Sequence, residues 1–94
     1  MIIQMSKFNT VLNGRPAAKE AVLRIFQIVN GSADREDVVI DFVGVEVLTP
    51  SYADELLRSL RERYGTKKVK IINTSLSISE TIKMVDGDFY AKVE

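Results

Sequence analysis

The sequence predicts a small α/β domain, a mostly parallel sheet of about four strands with about three helices. Two observations predict it. Apolar extended segments alternate with amphipathic ones in the order β-α-β-α-β-α-β, and such alternation favours parallel strands joined by right-handed crossovers. The joining stretches are short, with no linker, repeat or low-complexity run. A length of 94 residues suits one domain over 1–94.

Ile2, Ile3 and Met5 begin the chain as a short strand. Residues 6–14 contain Ser6, Asn9, Asn13 and Gly14 and read as a loop, with Phe8, Val11 and Leu12 touching the core. Residues 15–30 read as a helix. Pro16 suits its first turn, and Ala18, Ala21, Val22, Ile25, Phe26 and Val29 recur at three-and-four spacing. Asn30-Gly31 stops it, with Gly31 expected to take the left-handed conformation, and residues 31–37 make a polar connection.

Val38–Val43 is an almost unbroken apolar strand, which suggests burial on both faces. Gly44 ends or bends it, and Val45, Val47 and Leu48 continue extended. The second helix starts near Thr49-Pro50-Ser51, with a stripe of Ala53, Leu56, Leu57, Leu60 and Tyr64, and Gly65 closes it. Asp54 with Arg58, and Arg58 with Glu62, have the spacing of exposed helical ion pairs. Lys68–Asn73 is a third strand. Ser77 and Glu80 have capping-box spacing before a helix striped by Ile78, Ile82 and Val85, and residues 89–93 suit a last edge strand.

Composition narrows the chemistry. Hydrophobic residues are 46% and charged residues 28%, a globular balance. Thirteen basic and 13 acidic residues give zero formal charge, which argues against nucleic acid. The chain has no Cys and no His, so disulfides, thiolate or imidazole metal sites and His-dependent catalytic centres are excluded. No apolar run is long enough for a membrane span, and no signal peptide is visible, so a cytoplasmic location is expected.

The most informative stretch is Leu48–Leu57. It sets the hydroxyls of Thr49 and Ser51 at a strand-to-helix junction, on the carboxyl side of a strand, where ligand sites gather in α/β sheets. A helix N-terminus also favours anions or a phosphorylated hydroxyl. The competing structural role is capping, for which both Thr49 and Ser51 are suited. Arg15 can hold an anion, or pair with a neighbouring group. Asp41, inside an apolar strand, is expected to accept loop N–H groups. Asp54 and Glu55 are adjacent, hence about 100° apart on a helix and a poor catalytic pair. Adding Asp41, Asp86 and Asp88 gives no spacing that supports magnesium. Arg58, Arg61, Arg63, Lys67, Lys68 and Lys70 cluster, but Glu62 interleaves and no aromatic platform accompanies them, so they read as a solvated face.

Residues Val38–Leu57 resemble the STAS-like domain family of unknown function: a strand ending in Asp41-Phe42, then Gly44-Val45, then Ser51 followed by Tyr52, Ala53, Asp54 and Glu55. Leu12-Asn13-Gly14-Arg15 with Ala17 and Ala18 is similar to the family's Leu-x-x-Arg entry into its first helix, and Ile72-Asn73 before an Ile-rich helix also fits. The likeness spans about residues 8–86. It implies kinship with STAS domains, the sulfate-transporter and anti-sigma-factor-antagonist fold, small α/β domains that bind partner proteins. In bacterial antagonists an Asp-Ser-Ser-Gly motif opens the helix, and its second Ser is phosphorylated by a kinase of the histidine-kinase-like ATPase superfamily, which releases the partner. On that motif Thr49 falls at Asp, Pro50 at the first Ser, Ser51 at the phosphorylated Ser and Tyr52 at Gly. Thr49 lacks the carboxylate, and Tyr52 is bulky where the motif has no side chain.

The resemblance implies a non-enzymatic regulatory module without cofactor or metal. Its partner, a histidine-kinase-like ATPase or an anti-sigma factor, would bind through Thr49, Ser51, Tyr52 and Asp54, with phosphorylation at Ser51 or Thr49. Two rivals use the same chain differently: a nucleotide or small-anion site at this helix end, with Arg15, or a homodimer module indifferent to Thr49 and Ser51.

Overall fold

The computed structural model describes residues 1–30 and 36–86. In chain order the elements are β1 (Ile2–Gln4), a 3₁₀ turn (Met5–Lys7), β2 (Val11–Leu12), α1 (Arg15–Val29), β3 (Val38–Asp41), β4 (Val47–Leu48), α2 (Pro50–Tyr64), β5 (Val69–Ile72) and α3 (Leu76–Val85). Every described strand pair is parallel. One sheet has the order β1-β3-β5, and β2 pairs with β4 in a second, two-stranded sheet. The expected small α/β fold with a mostly parallel sheet is present, with five strands in two sheets. The edge strand expected at 89–93 lies outside the described residues, as do Gly31 and Asp88.

The register separates the two faces of the larger sheet. Ile3, Ile40 and Ile71 form one row, flanked by Val38 and Val69, and these side chains meet the buried stripes of all three helices in one core. Ile2, Val39 and Lys70 form the alternate row, with Ile2 and Lys70 exposed. Within β3 itself the alternate row is half-buried Val39 and buried Asp41, while Val43 beyond the strand is exposed, so the expected burial on both faces holds in part. The apolar run of β3 reflects β-branched strand preference as well as burial. The strand is also shorter than expected and ends at Asp41, a residue only 5% exposed. Asp41 Oδ1 accepts the Val43 N–H at 2.9 Å and the Asn73 side-chain amide at 3.0 Å. The carboxylate therefore ties the end of β3 to the end of β5, where Asn73 takes a positive φ of 58°.

The helices follow their sequence signals, with two corrections at their ends. Asn30, at φ 41°, supplies the left-handed residue that closes α1. An asparagine tolerates that conformation, so the stop falls one residue before the expected glycine. In α3 the cap is Ser75, whose hydroxyl accepts the Ile78 N–H at 3.2 Å, and Ser77 is already helical, so its spacing to Glu80 makes no capping box. The earlier start puts Ile78 and Ile82 within one continuous buried face. Phe26 of α1 meets Tyr64 of α2 edge-on at 5.9 Å between ring centroids, and the Arg63 guanidinium covers Phe26 at 4.9 Å. No helix of the described residues is long and apolar enough to cross a membrane.

Candidate functional site

The parallel pairing of β2 with β4 brings the starts of α1 and α2 side by side, because each helix begins within three residues of its strand. Thr49 is the residue that fastens them. Its N–H donates to the Leu12 carbonyl at 3.0 Å, and its Oγ1 accepts the Gly14 N–H at 3.1 Å while donating to the Leu12 carbonyl at 3.4 Å. Thr49 occupies the N-cap position of α2, yet its side chain makes no capping bond. The expected cap is thus corrected: the hydroxyl holds the turn before α1 instead. Gly14 in that turn has φ 87° and ψ 155°, a backbone conformation essentially confined to glycine.

With Thr49 committed elsewhere and Pro50 lacking an N–H, the backbone N–H groups of Ser51 and Tyr52 are left without intrahelical acceptors. Ser51, the second residue of α2, is half-buried and inside the helix, so it is no cap either. Its Oγ makes no hydrogen bond among the described residues.

One turn further on, Asp54 and Glu55 converge with two arginines. Arg15 Nη1 donates to Asp54 Oδ2 at 2.7 Å and lies 3.5 Å from Glu55 Oε1. Arg58 Nη2 lies 3.4 Å from Glu55 Oε1 and 3.7 Å from Asp54 Oδ2. The hydrogen bond that Arg15 donates to Asp54 is the main cause that holds Arg15 above its already high ordinary pKa. Two carboxylates and two guanidiniums sum to zero charge, so this end of α2 is polar but electrically balanced. The expected Asp54–Arg58 pair is present, and Arg58 turns toward this cluster. The 100° offset between neighbouring helical residues still lets both carboxylates reach Arg15, because both converge on its Nη1.

Tyr52 does not share this surface. It is 1% exposed, its ring is part of the core, and burial pushes its hydroxyl pKa up to about 12. The expectation that the ring contacts a partner is corrected to a supporting role beneath the surface. The signal was legible: Tyr52, Leu56 and Leu60 stand four residues apart and extend the apolar stripe back to the helix start. Glu55, at 9% exposed, was also missed as a buried residue; it reaches Arg15, Arg58 and the Ser59 hydroxyl, which donates to Oε2 at 3.1 Å.

The expected solvated basic face is more occupied than its sequence suggests. Arg61 pairs with Asp86, Arg63 stacks on Phe26, and Arg58 joins the acidic pair. Among the described residues no three His, Cys, Asp or Glu side chains gather as a metal site requires.

A family model for the STAS-like domain of unknown function matches residues 21–79, well over half of the chain. This chain belongs to that family. Neither the curated proteins nor the solved structures contain a match. The matched span of the STAS-like domain holds the whole α2 start, whereas Gly14 and Arg15 lie before it. The contacts of those two residues with Thr49 and Asp54 join them to the matched part.

Proposed function

We propose that this STAS-like domain is a non-enzymatic regulatory module that docks a partner protein on the N-terminal end of α2, with Ser51 as its phosphorylation switch. The observation that supports the reading best is the uncommitted Ser51 hydroxyl. Its neighbours are tied down by Thr49's bonds to the α1 turn and by the Arg15–Asp54 pair, while Ser51 Oγ bonds to nothing among the described residues. The partner that family kinship suggests is a histidine-kinase-like ATPase or an anti-sigma factor.

The physical effect of the switch follows from the balanced cluster. A phosphoryl group transferred from ATP to Ser51 Oγ, with the bond to the β-phosphate oxygen broken, ADP leaving and the hydroxyl proton lost, adds about −1.5 to −2 charge. It would find two free backbone N–H groups and the positive end of the helix dipole, so the helix tolerates it. Asp54 follows one helical turn later, and like charges one turn apart repel. The new dianion therefore competes with Asp54 for Arg15 and turns a neutral surface negative. An apolar or acidic partner surface that fits the neutral form is then released.

The rival reading, a nucleotide or small-anion site at the same helix N-terminus, would use the same free N–H groups, but the nearby cation Arg15 already serves two carboxylates. The test is affinity capture from the native host with wild type, Ser51→Ala and Ser51→Asp side by side. A partner ATPase held by wild type and Ser51→Ala and lost with Ser51→Asp supports the proposal. Equal capture by all three overturns the switch.

A further inference from the structure

The second surface of interest lies at the other edge of the sheet. In the order β1-β3-β5, β1 is an edge strand, and no strand pairs with its outer side among the described residues. The Val39 N–H bonds the Met1 carbonyl, and Ile2 pairs with Val39. In a parallel ladder alternate residues face the neighbouring strand, so the backbone groups of Ile2 and the N–H of Gln4 point away from β3. Between this edge and α1 runs a groove of about 500 Å³, lined by Ile2, Gln4, Lys7, Phe8, Arg24 and Ile28. Its walls are apolar and open: Ile2 is 61% exposed and Ile28 52%. Its rim is cationic. Arg24 stands over the Phe8 ring at 5.2 Å, and neither Arg24 nor Lys7 has an ion-pair partner among the described residues. Glu20 lines the adjoining groove over Tyr52, which shares Phe8 and Arg24 with this one, and no acidic residue lines the groove beside β1.

We infer that this groove takes an extended segment of a partner protein in which carboxylates alternate with small apolar side chains, added as a strand to the β1 edge. Each part of the groove matches one part of such a segment. The outward N–H and C=O groups of β1 need a main-chain partner, which an extended peptide supplies and a small anion does not. Ile2, on the sheet face away from the helices, accepts the apolar side chains of the added strand, and the alternate side chains turn to the α1 face, where Phe8 and Ile28 pack against their stems. Lys7 and Arg24 select carboxylates, being cations without an acidic partner among the described residues, whereas Arg15, Arg58 and Arg61 already hold one. Recognition between a sheet edge and a helix lies on a different surface from the α2 start, so it stands or falls independently of the Ser51 switch.

The probe is the blocked peptide acetyl-Glu-Val-Glu-Val-Glu-amide, titrated into the full ¹⁵N-labelled chain at low salt. Shifts centred on Ile2, Gln4 and Ile28, with slowed hydrogen exchange at the Ile2 and Gln4 amides, support the inference. The peptide with Gln in place of Glu should bind on the order of tenfold more weakly, as should the chain carrying Lys7→Glu with Arg24→Glu. Both substituted residues are exposed, and a urea midpoint close to wild type confirms that the doubly substituted chain is folded. Equal binding of the Gln peptide overturns the inference, as does unchanged exchange at Ile2 and Gln4. Protection of those amides that rises with protein concentration and without peptide also overturns it, because the occupant is then a second copy of the chain.

Discussion

Replacing Thr49 with valine keeps the side-chain shape and removes both hydroxyl bonds. The two bonds are not equal. The Leu12 carbonyl still accepts the Thr49 N–H at 3.0 Å, so losing the longer 3.4 Å bond costs little. The Gly14 N–H loses its acceptor at 3.1 Å. An unsatisfied buried donor costs about 1–3 kcal/mol, and Gly14 is only half-buried, which favours the lower part of that range. The expected loss is about 1–2 kcal/mol. In a domain of this size each kcal/mol lowers Tm by about 4–8 °C. Urea unfolding of wild type, Thr49→Val and Thr49→Ser gives the magnitude, and serine should recover most of the loss. Amide exchange gives the location. If the hydroxyl holds the α1 turn, Thr49→Val speeds exchange at Gly14. If it were a helix cap, the change would fall on the first-turn amides of α2. A valine variant as stable as wild type, or one that loses protection at Tyr52 and not at Gly14, refutes the reasoning.

Other consequences follow from the same contacts. Gly14→Ala should cost about 1–3 kcal/mol in urea unfolding, because φ 87° with ψ 155° strains any side chain; no measurable loss would show that the turn relaxes. Asp41→Ala strands the Val43 N–H and the Asn73 amide and should cost about 2–3 kcal/mol, whereas Asp41→Asn keeps an acceptor and costs less. The folded state holds Tyr52 protonated up to about pH 12, above the ordinary tyrosine value near 10. The unfolded chain therefore gives up this proton first, and stability present below about pH 10 falls as pH rises toward 12. Tyr52→Phe should flatten that decline in denaturant midpoints measured from pH 9 to 11.

How far the sequence reaches is clearest at the α2 start. The long elements declare themselves because three-and-four spacing repeats over four turns in α1 and α2, and β3 carries a dense β-branched run. A two-residue strand such as β2 or β4 is too short to show any period. Residues 6–14 accordingly read as a loop, and the pairing that aligns the two helix starts was not legible. The role of Thr49 follows the same rule. Position identifies it as a cap, but its partner is 35 residues away in the chain, and only the β2–β4 pairing brings Gly14 within reach. Arg15 and Asp54 are 39 residues apart and illustrate the same limit. Tyr52 differs: its spacing to Leu56 already indicated the core, but its place in the family motif drew it to the surface. The family itself was legible, because its motif is local to the strand-to-helix junction.

The Ser51 switch is tested most directly by intact-protein mass spectrometry of this chain isolated from its native host, with the partner-bound and free pools kept apart. The account predicts the added mass of one phosphate, mapped to Ser51, in the free pool and a bare hydroxyl in the bound pool. A bare Ser51 in both pools, or phosphate enriched in the bound pool, contradicts it.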